Sequence, residues 1–484
     1  MTASIPADTA QRIWARDDSL WAKGEDRSSD RLGWLDLPKT MRAELPRLQE
    51  LTEQVTSEGF RTIALLGMGG SSLAPELYAS VLRSADYPDL VVADSTHPDQ
   101  VHQVTNSVEL DHTLFCVASK SGTTAETLAL YRHFRALVPD GRHYVAITDP
   151  ETPLAALARE ESFRALFVNP PDVGGRYSAL SLFGLLPAAL VGADVQALLD
   201  SSAEEAGRTR DPASPALSLG SQLATAVAEG RDKLTISTSP TIHLFGDWVE
   251  QLLAESTGKH GTGIVPIVSE PPLDDYGPDR MFATLQLAGE GIASAAVHRQ
   301  LRSPEELGAE IYHWEFATAA AGLGLGINPF DQPDVEAAKR AARAALEQSA
   351  PPPWPDDDPD ELFSGLAPPS YAAILAFAPV TRENKEIIAQ ARLRLGTEHG
   401  VATGGAFGPR YLHSSGQLHK GGPKRLRALV VLAEHTEDLP IPGQEHTFGR
   451  LVAAQAAGDA EALEAAGQKV ARVGWDGFAD WVGT

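Results

Sequence analysis

From residue 41 onward the chain alternates helix-like stretches with short apolar runs. An amphipathic stretch over 41–58 leads into an apolar run at 62–66, a cluster of glycines, and a second helical stretch from about Ala74. Further apolar runs lie at 90–93, 114–117, 145–148 and 166–168, each separated from the next by a helix-like segment. Such alternation predicts crossover units: an α/β fold with parallel sheets and helices on both faces. A turn-rich stretch at 207–215 closes the first unit, and a second cycle opens with 233–238 as strand and 241–255 as helix. Residues 350–371 read APPPWPDDDPDELFSGLAPPSY, where prolines remove backbone donors and carboxylates repel one another, so a solvated linker is expected. A proline and the lack of a loop glycine spoil a calcium-loop reading of the DDDPDE run. After it, 371–378 reads as a strand that opens a C-terminal lobe. The expected organisation is an arm over 1–40 whose Trp14, Trp21 and Trp34 dock on the body, α/β domains over 41–212 and 213–349, a linker over 350–370, and a lobe over 371–484. Strand order is not readable from this pattern.

Composition narrows the partners. The 484 residues carry a net charge of −25, against binding to a phosphate backbone or an anionic membrane surface. The single cysteine, Cys116, lies in the apolar TLFCVAS, so neither a disulfide framework nor a thiolate metal site is expected. The N-terminus, MTASIPADTAQRIWARDD, lacks a basic segment followed by an apolar one, and the Ala/Leu-rich stretches meet a charge or a proline too soon to span a bilayer. The expectation is a soluble, cytoplasmic protein.

In parallel sheets, ligands bind at the loops that follow the strand C-termini. Two such loops stand out: LLGMGGSSLAPE (65–76), with Gly67, Gly69, Gly70, Ser71 and Ser72, and VASKSGTTAET (117–127), with Ser119, Ser121, Thr123 and Thr124 at a helix start. Unpaired N–H groups and hydroxyls at a helix N-terminus can hold a phosphate without many cations. Ordinary N-capping is the alternative, since Thr123 and Glu126 fit a capping box. Neither a dinucleotide fingerprint nor a Walker loop fits the first loop. In VGGRYSALSLFG (173–184), Arg176 enters an apolar stretch, either as half of a structural ion pair or as a cation for a developing anion. In WVEQLLAESTGKHGTG (248–263), Gln251 and Glu255 share a helix face, although a lone Glu255 could simply be solvated. In INPFDQPDVEAAK (327–339), Gln332 and Lys339 lie two helical turns apart, with a surface lysine as the plain alternative. The loop FGPRYLHSSGQLHKGGPK (407–424) holds His413, His419 and Lys420 at no zinc spacing.

In this order, GMGGSS, SKSGTTAET, GGRYS, QLLAESTGK and FDQPDVEAAK resemble the phosphoglucose isomerase family of the sugar-isomerase (SIS) fold, and most of all the isomerase half of bacterial transaldolase/glucose-6-phosphate isomerase fusion proteins. The likeness runs from IWARDDSLW and RLGWLDLP to the last helix, with no segment resembling a transaldolase. It implies two doubly wound SIS-type domains, an N-terminal arm and a C-terminal α/β lobe. It makes SKSGTT the phosphate loop through Ser119, Ser121, Thr123 and Thr124, with Lys120 beside them. It sets Gly70 and Ser71 against the sugar, Arg176 next to the reacting carbons, Glu255 as base with Gln251 one turn earlier, Gln332 on the phosphate side and Lys339 at ring opening. One element departs from the family pattern. Single-module relatives carry a ring-opening histidine in an LHSxGQ-like segment shortly downstream of the base. The corresponding stretch here, LDDYGPDRMF around Tyr276, has none, whereas LHSSGQ appears at 412–417. The expectation is that the C-terminal lobe returns this element in space, so that His413 serves.

The implied activity is the metal-independent interconversion of glucose 6-phosphate and fructose 6-phosphate, without a cofactor. A proton moves between C2 and C1 through an enediolate; a carboxylate suits the shuttle and a non-titrating arginine suits the developing charge. Isomerisation of mannose 6-phosphate or a sulfonated hexose, and non-catalytic sugar-phosphate sensing, are the competing readings. A sensor of this fold usually carries a basic DNA-binding module, and no such segment is visible. Monomer and homodimer both remain open.

Overall fold

The computed structural model describes residues 5–24, 27–293, 295–333, 346 and 353–483. The apolar runs form strands, and those at the sheet centres are buried on both faces, as expected where helices cover a parallel sheet. The first sheet contains β1 (Thr62–Gly67), β2 (Asp89–Ala93), β3 (Thr113–Ala118), β4 (Tyr144–Thr148) and β5 (Ala165–Val168). A second contains β6 (Lys233–Thr238), β7 (Val265–Val268), β8 (Arg280–Leu287) and β9 (Val297–Leu301). A third contains β10 (Tyr371–Phe377), β11 (Ala402–Phe407), β12 (Leu426–Leu432) and β13 (Lys469–Gly474). All pairings within these sheets are parallel.

The strand orders are β2-β1-β3-β4-β5, β7-β6-β8-β9 and β11-β10-β12-β13. In each sheet the chain steps outward once, returns across its first strand and continues the other way. The reversal opens a crevice beside that first strand, between β1 and β3 in the first sheet. The loops following β1 and β3 are the two glycine- and hydroxyl-rich segments singled out above.

The helix Leu307–Leu325 is apolar around most of its circumference and packs against the helices Val195–Arg208 and Pro215–Ala228. The N-terminal tryptophans dock on this region. Trp21 Nε1 donates to Ala319 O at 2.8 Å, Trp34 stacks on Tyr177 at 5.2 Å between centroids, and Trp14 Nε1 donates to Thr209 Oγ1 at 3.3 Å.

The expected solvated linker differs from the structure over its described part. Trp354 Nε1 donates to Val473 O at 3.0 Å, Asp358 caps the short helix Pro359–Phe363, and Phe363 stacks on Trp481. Leu362, Phe363 and Leu366 are buried against the third sheet. Three apolar side chains in register with a sheet face outweigh the solvation of the neighbouring aspartates. Among the described residues no helix is long and apolar enough to cross a membrane.

Candidate active site

A cavity of about 890 Å³ opens where the first-sheet crevice meets the helix Phe245–Thr257 and the third sheet. Its walls include Gly70, Ser71, Lys120, Ser121, Thr123, Thr124, Arg176, Gln251, Glu255, Gln332 and His413. Residues far apart in the sequence thus share one enclosure. Lys339 lies outside the described residues.

The loop after β1 owes its glycines to backbone crowding. Gly69 has φ +54°, and a Cβ there would lie 2.3 Å from His413 O. A Cβ on Gly70 would lie 2.0 Å from Gly175 O, so this position also lets the loop close on the turn that carries Arg176.

After β3, the chain makes a hydroxyl-lined turn into the helix Ala125–Leu137. Ser121 Oγ and Thr123 Oγ1 lie 2.9 Å apart, and Ser119 Oγ pairs with Thr124 Oγ1 at 2.8 Å while accepting from Gly122 N at 3.1 Å. Ser119 is buried beneath the loop and is not part of the cavity wall; it braces the turn from behind. Lys120 forms an ion pair with Asp149 and donates to Pro171 O at 3.2 Å. Burial raises the Asp149 carboxyl and Lys120 opposes that shift. The start of a thirteen-residue helix behind these hydroxyls favours an anion there. The capping box is not formed. Thr124 is the N-cap without a side-chain cap bond, and Glu126 Oε1 instead accepts from Gln455 Nε2 at 2.6 Å and pairs with His413 Nε2 at 3.0 Å.

Glu255 sits in the last turn of the helix Phe245–Thr257, with its side chain 9% exposed and Oε2 3.6 Å from Arg176 Nε. It is not the solvated carboxylate that the isolated sequence allowed. Burial raises its carboxyl above the ordinary range, opposed by the charges of Arg176 and His413 and by a hydrogen bond from Gln251. Arg176 is buried; its Nη2 donates to the carbonyls of Phe330 at 3.2 Å and Asp331 at 3.1 Å, while Nη1 has no partner among the described residues. The arginine therefore makes an ion pair and also faces the cavity. Behind Glu255, the fully buried Lys259 pairs with Asp331 Oδ1 at 2.9 Å and donates to Asn328 O at 2.6 Å. Burial and the nearby Arg176 push its ammonium down to about 7. That clamp ties the segment bearing Gln332 to the end of the helix bearing Glu255.

His413 ends the short 3-10 turn Arg410–His413 after β11. Arg410 anchors the turn to the first sheet through Glu76 and through Asp94 at 3.0 Å. Gln251 Nε2 donates to His413 O at 2.8 Å, so the backbone of this loop is fixed to the helix that carries Glu255. Tyr276 instead packs on Phe282 and lies outside the cavity wall. His419 is also outside the wall, its imidazole pushed down to about 4 by burial, whereas Lys420 reaches the cavity paired with Asp459 at 2.5 Å. Glu126, Asp149, Gln455 and Asp459 were not visible as site residues in the sequence. The available signal was the spacing of Leu451, Gln455 and Asp459, each four apart and so on one face of the helix Phe448–Ala465. Among the described residues no three His, Cys, Asp or Glu side chains are grouped to hold a metal ion.

The phosphoglucose isomerase family model matches residues 39–268. A glucose-6-phosphate isomerase of Rubrobacter xylanophilus is 30% identical over 388 residues, covering 65% of this chain and 89% of that protein. One from Staphylococcus saprophyticus is 28% identical over 394 residues, covering 67% and 88%. Among solved structures, a hypothetical protein from Thermus thermophilus aligns with TM-score 0.61 at 26% identity, covering 70% of this chain and 94% of that one. A glucose-6-phosphate isomerase from Chlamydia trachomatis shares the fold, with TM-score 0.53 at 20% identity and coverage of 69% and 77%. With a hydroxyl-rich helix start, a buried glutamate–arginine pair and a histidine gathered on one cavity, and with relatives aligned over nearly nine-tenths of their own length, the chain belongs to the phosphoglucose isomerase family.

Proposed function

We propose that the chain is a glucose-6-phosphate isomerase that interconverts glucose 6-phosphate and fructose 6-phosphate through an enediolate, without a metal. The observation that carries this reading is the convergence of Glu255, Arg176, His413 and the 120–124 loop on one cavity. Ser121, Thr123, Thr124 and the first N–H groups of the following helix hold the phosphate, with Lys120 beside them and Gln332 on the same side. Ser119 supports them from beneath. Fixing the phosphate orients the sugar, and positioning of this kind is worth roughly 7–11 kcal/mol. His413, with Lys339, moves a proton between the anomeric hydroxyl and the ring oxygen. Glu255 then takes the proton from C2 and returns it at C1. Its raised carboxyl makes it a stronger base than an exposed glutamate, and Arg176 balances the charge that develops on the oxygens. Gly70 and Ser71 close the sugar side.

The finer likeness, to the isomerase half of the transaldolase fusion proteins, is supported by the position of LHSSGQ at 412–417, beyond the second sheet rather than beside Tyr276. That arrangement completes the site within one chain.

The test is conversion of fructose 6-phosphate to glucose 6-phosphate, coupled to a dehydrogenase, with EDTA present and mannose 6-phosphate and a sulfonated hexose as parallel substrates. Turnover on the order of 1–1000 per second on fructose 6-phosphate supports the reading. Turnover confined to another anionic sugar refutes the substrate, and tight sugar-phosphate binding without turnover refutes the activity.

A further inference from the structure

The helix Phe448–Ala465 follows β12 in the C-terminal third of the chain and walls the cavity with Leu451, Gln455 and Asp459. The notable contact is that of Gln455. Its Nε2 donates to Glu126 Oε1 at 2.6 Å, the same oxygen that lies 3.0 Å from His413 Nε2. Its Oε1 accepts from Thr96 Oγ1 at 2.7 Å. Gln455, Glu126 and Thr96 are all buried. The carboxylate, which can only accept, fixes which end of the amide faces it, and the Thr96 hydroxyl satisfies the other end as a donor. The sequence Thr96–Gln455–Glu126–His413 is a relay of four side chains from four segments of the chain, ending on the imidazole.

We propose that Gln455 is a positioning residue for ring opening: it holds Glu126 in the orientation that aligns His413 and balances its charge. This deepens the isomerase reading and rests on it. A buried carboxylate that receives a short amide donor is less basic than one left to the imidazole alone, and so it binds the imidazolium less tightly. His413 then remains able to give up its proton, which a shuttle between two oxygens requires. Other charges also face His413: Glu255 and Arg176 across the cavity, Asp94 and Arg410 behind the loop, and the Lys420–Asp459 pair beside it. None of these groups is hydrogen-bonded to Gln455 among the described residues, so a shift on substitution reports the relay.

The experiment compares wild type, Gln455→Leu and Thr96→Val in three measurements: kcat and KM for fructose 6-phosphate, the pH profile of kcat/KM, and deuterium exchange at C2 of an aldotetrose 4-phosphate, whose blocked O4 cannot close a ring. For Gln455→Leu the expected results are a roughly tenfold fall in kcat on the hexose phosphate, KM within about threefold, and C2 exchange on the tetrose nearly unchanged. One limb of the pH profile should move upward by about 0.5–1 unit. Thr96→Val, a near-isosteric change, should move the same limb in the same direction by less, and it carries the test if Gln455→Leu does not fold. An unmoved limb in the folded variants, or equal losses on hexose and tetrose, overturns the relay while leaving the isomerase reading intact. Wild type without isomerase turnover overturns both.

Discussion

Replacing Glu255 by glutamine removes the charge and the basicity while keeping nearly the same shape. The carboxylate lies 3.6 Å from the Arg176 guanidinium with both side chains buried. At an effective dielectric of about 20 this separation corresponds to an attraction of about 5 kcal/mol. The whole of it is not lost, because the glutamine oxygen and the carbonyls of Phe330 and Asp331 still face the guanidinium. Burial outweighs what remains, since it raises the carboxyl despite Arg176, so the neutral glutamine should change folding stability little near neutral pH. The effect on rate is larger in consequence. Loss of a positioned base costs about two to four decades in kcat, roughly 3–5 kcal/mol of barrier. KM should stay within about threefold, since the phosphate-side hydroxyls lie on a different element. Glu255→Asp retracts the base by about a bond length and should fall between, about a hundredfold down. The coupled fructose 6-phosphate assay, with urea unfolding in parallel, separates the two effects. The pH profile adds a check of sign: the base works deprotonated and burial raises its pKa, so kcat/KM should fall on acidification from above the ordinary carboxylate range. A Glu255→Gln enzyme that keeps more than a tenth of kcat, or keeps kcat while KM rises steeply, would refute the assignment.

Three further outcomes follow from the same geometry. Arg410→Met strips Glu76 and Asp94 of their shared cation and loosens the turn bearing His413, so the midpoint of thermal unfolding should fall, with a loss of about 3–5 kcal/mol, together with hexose phosphate turnover; unchanged stability would contradict the anchor. Thr123→Val removes a cavity hydroxyl and should raise KM about tenfold with kcat nearly constant, whereas a kcat effect alone would move this residue away from the phosphate. Glu315 is fully buried without a hydrogen-bond partner for either oxygen among the described residues, and burial pushes its carboxyl well above the ordinary range. Its folded pKa exceeds its unfolded one, so its contribution is full at acid pH and is lost as pH rises toward the raised value. Glu315→Gln should therefore gain in melting temperature over wild type as pH rises above the ordinary carboxylate range, by about 1.4 kcal/mol per pH unit while the group stays protonated in the fold; parallel curves would show that Glu315 is not held protonated.

The α/β class, the first sheet and the opening strand of each of the other two are legible in local pattern, because a strand covered on both faces has to be apolar throughout its length. The two loops after β1 and β3 are legible for a related reason: glycines and hydroxyls before a helix mark the places where backbone N–H groups are left for a ligand or a cap. What local pattern does not carry is distance between remote residues. Glu255 alone reads more readily as a solvated carboxylate, and only the packing of Arg176 and the 327–332 segment around it makes it buried and paired. Glu126 fits a capping box on spacing, yet a donor from the helix Phe448–Ala465 and the imidazole of His413 outcompete the local backbone. The proline- and aspartate-rich stretch before β10 reads as solvated because its seven prolines and five carboxylates set the local pattern, while its few apolar side chains find a sheet face that the sequence does not display. The alternation of strand and helix, the chemical types available and the family likeness depend on neighbours along the chain, and local pattern carries them. Tertiary structure alone decided that His413 meets Glu126 and lines the cavity with Glu255, because that meeting depends on how three sheets pack and on the Arg410 anchor between two of them.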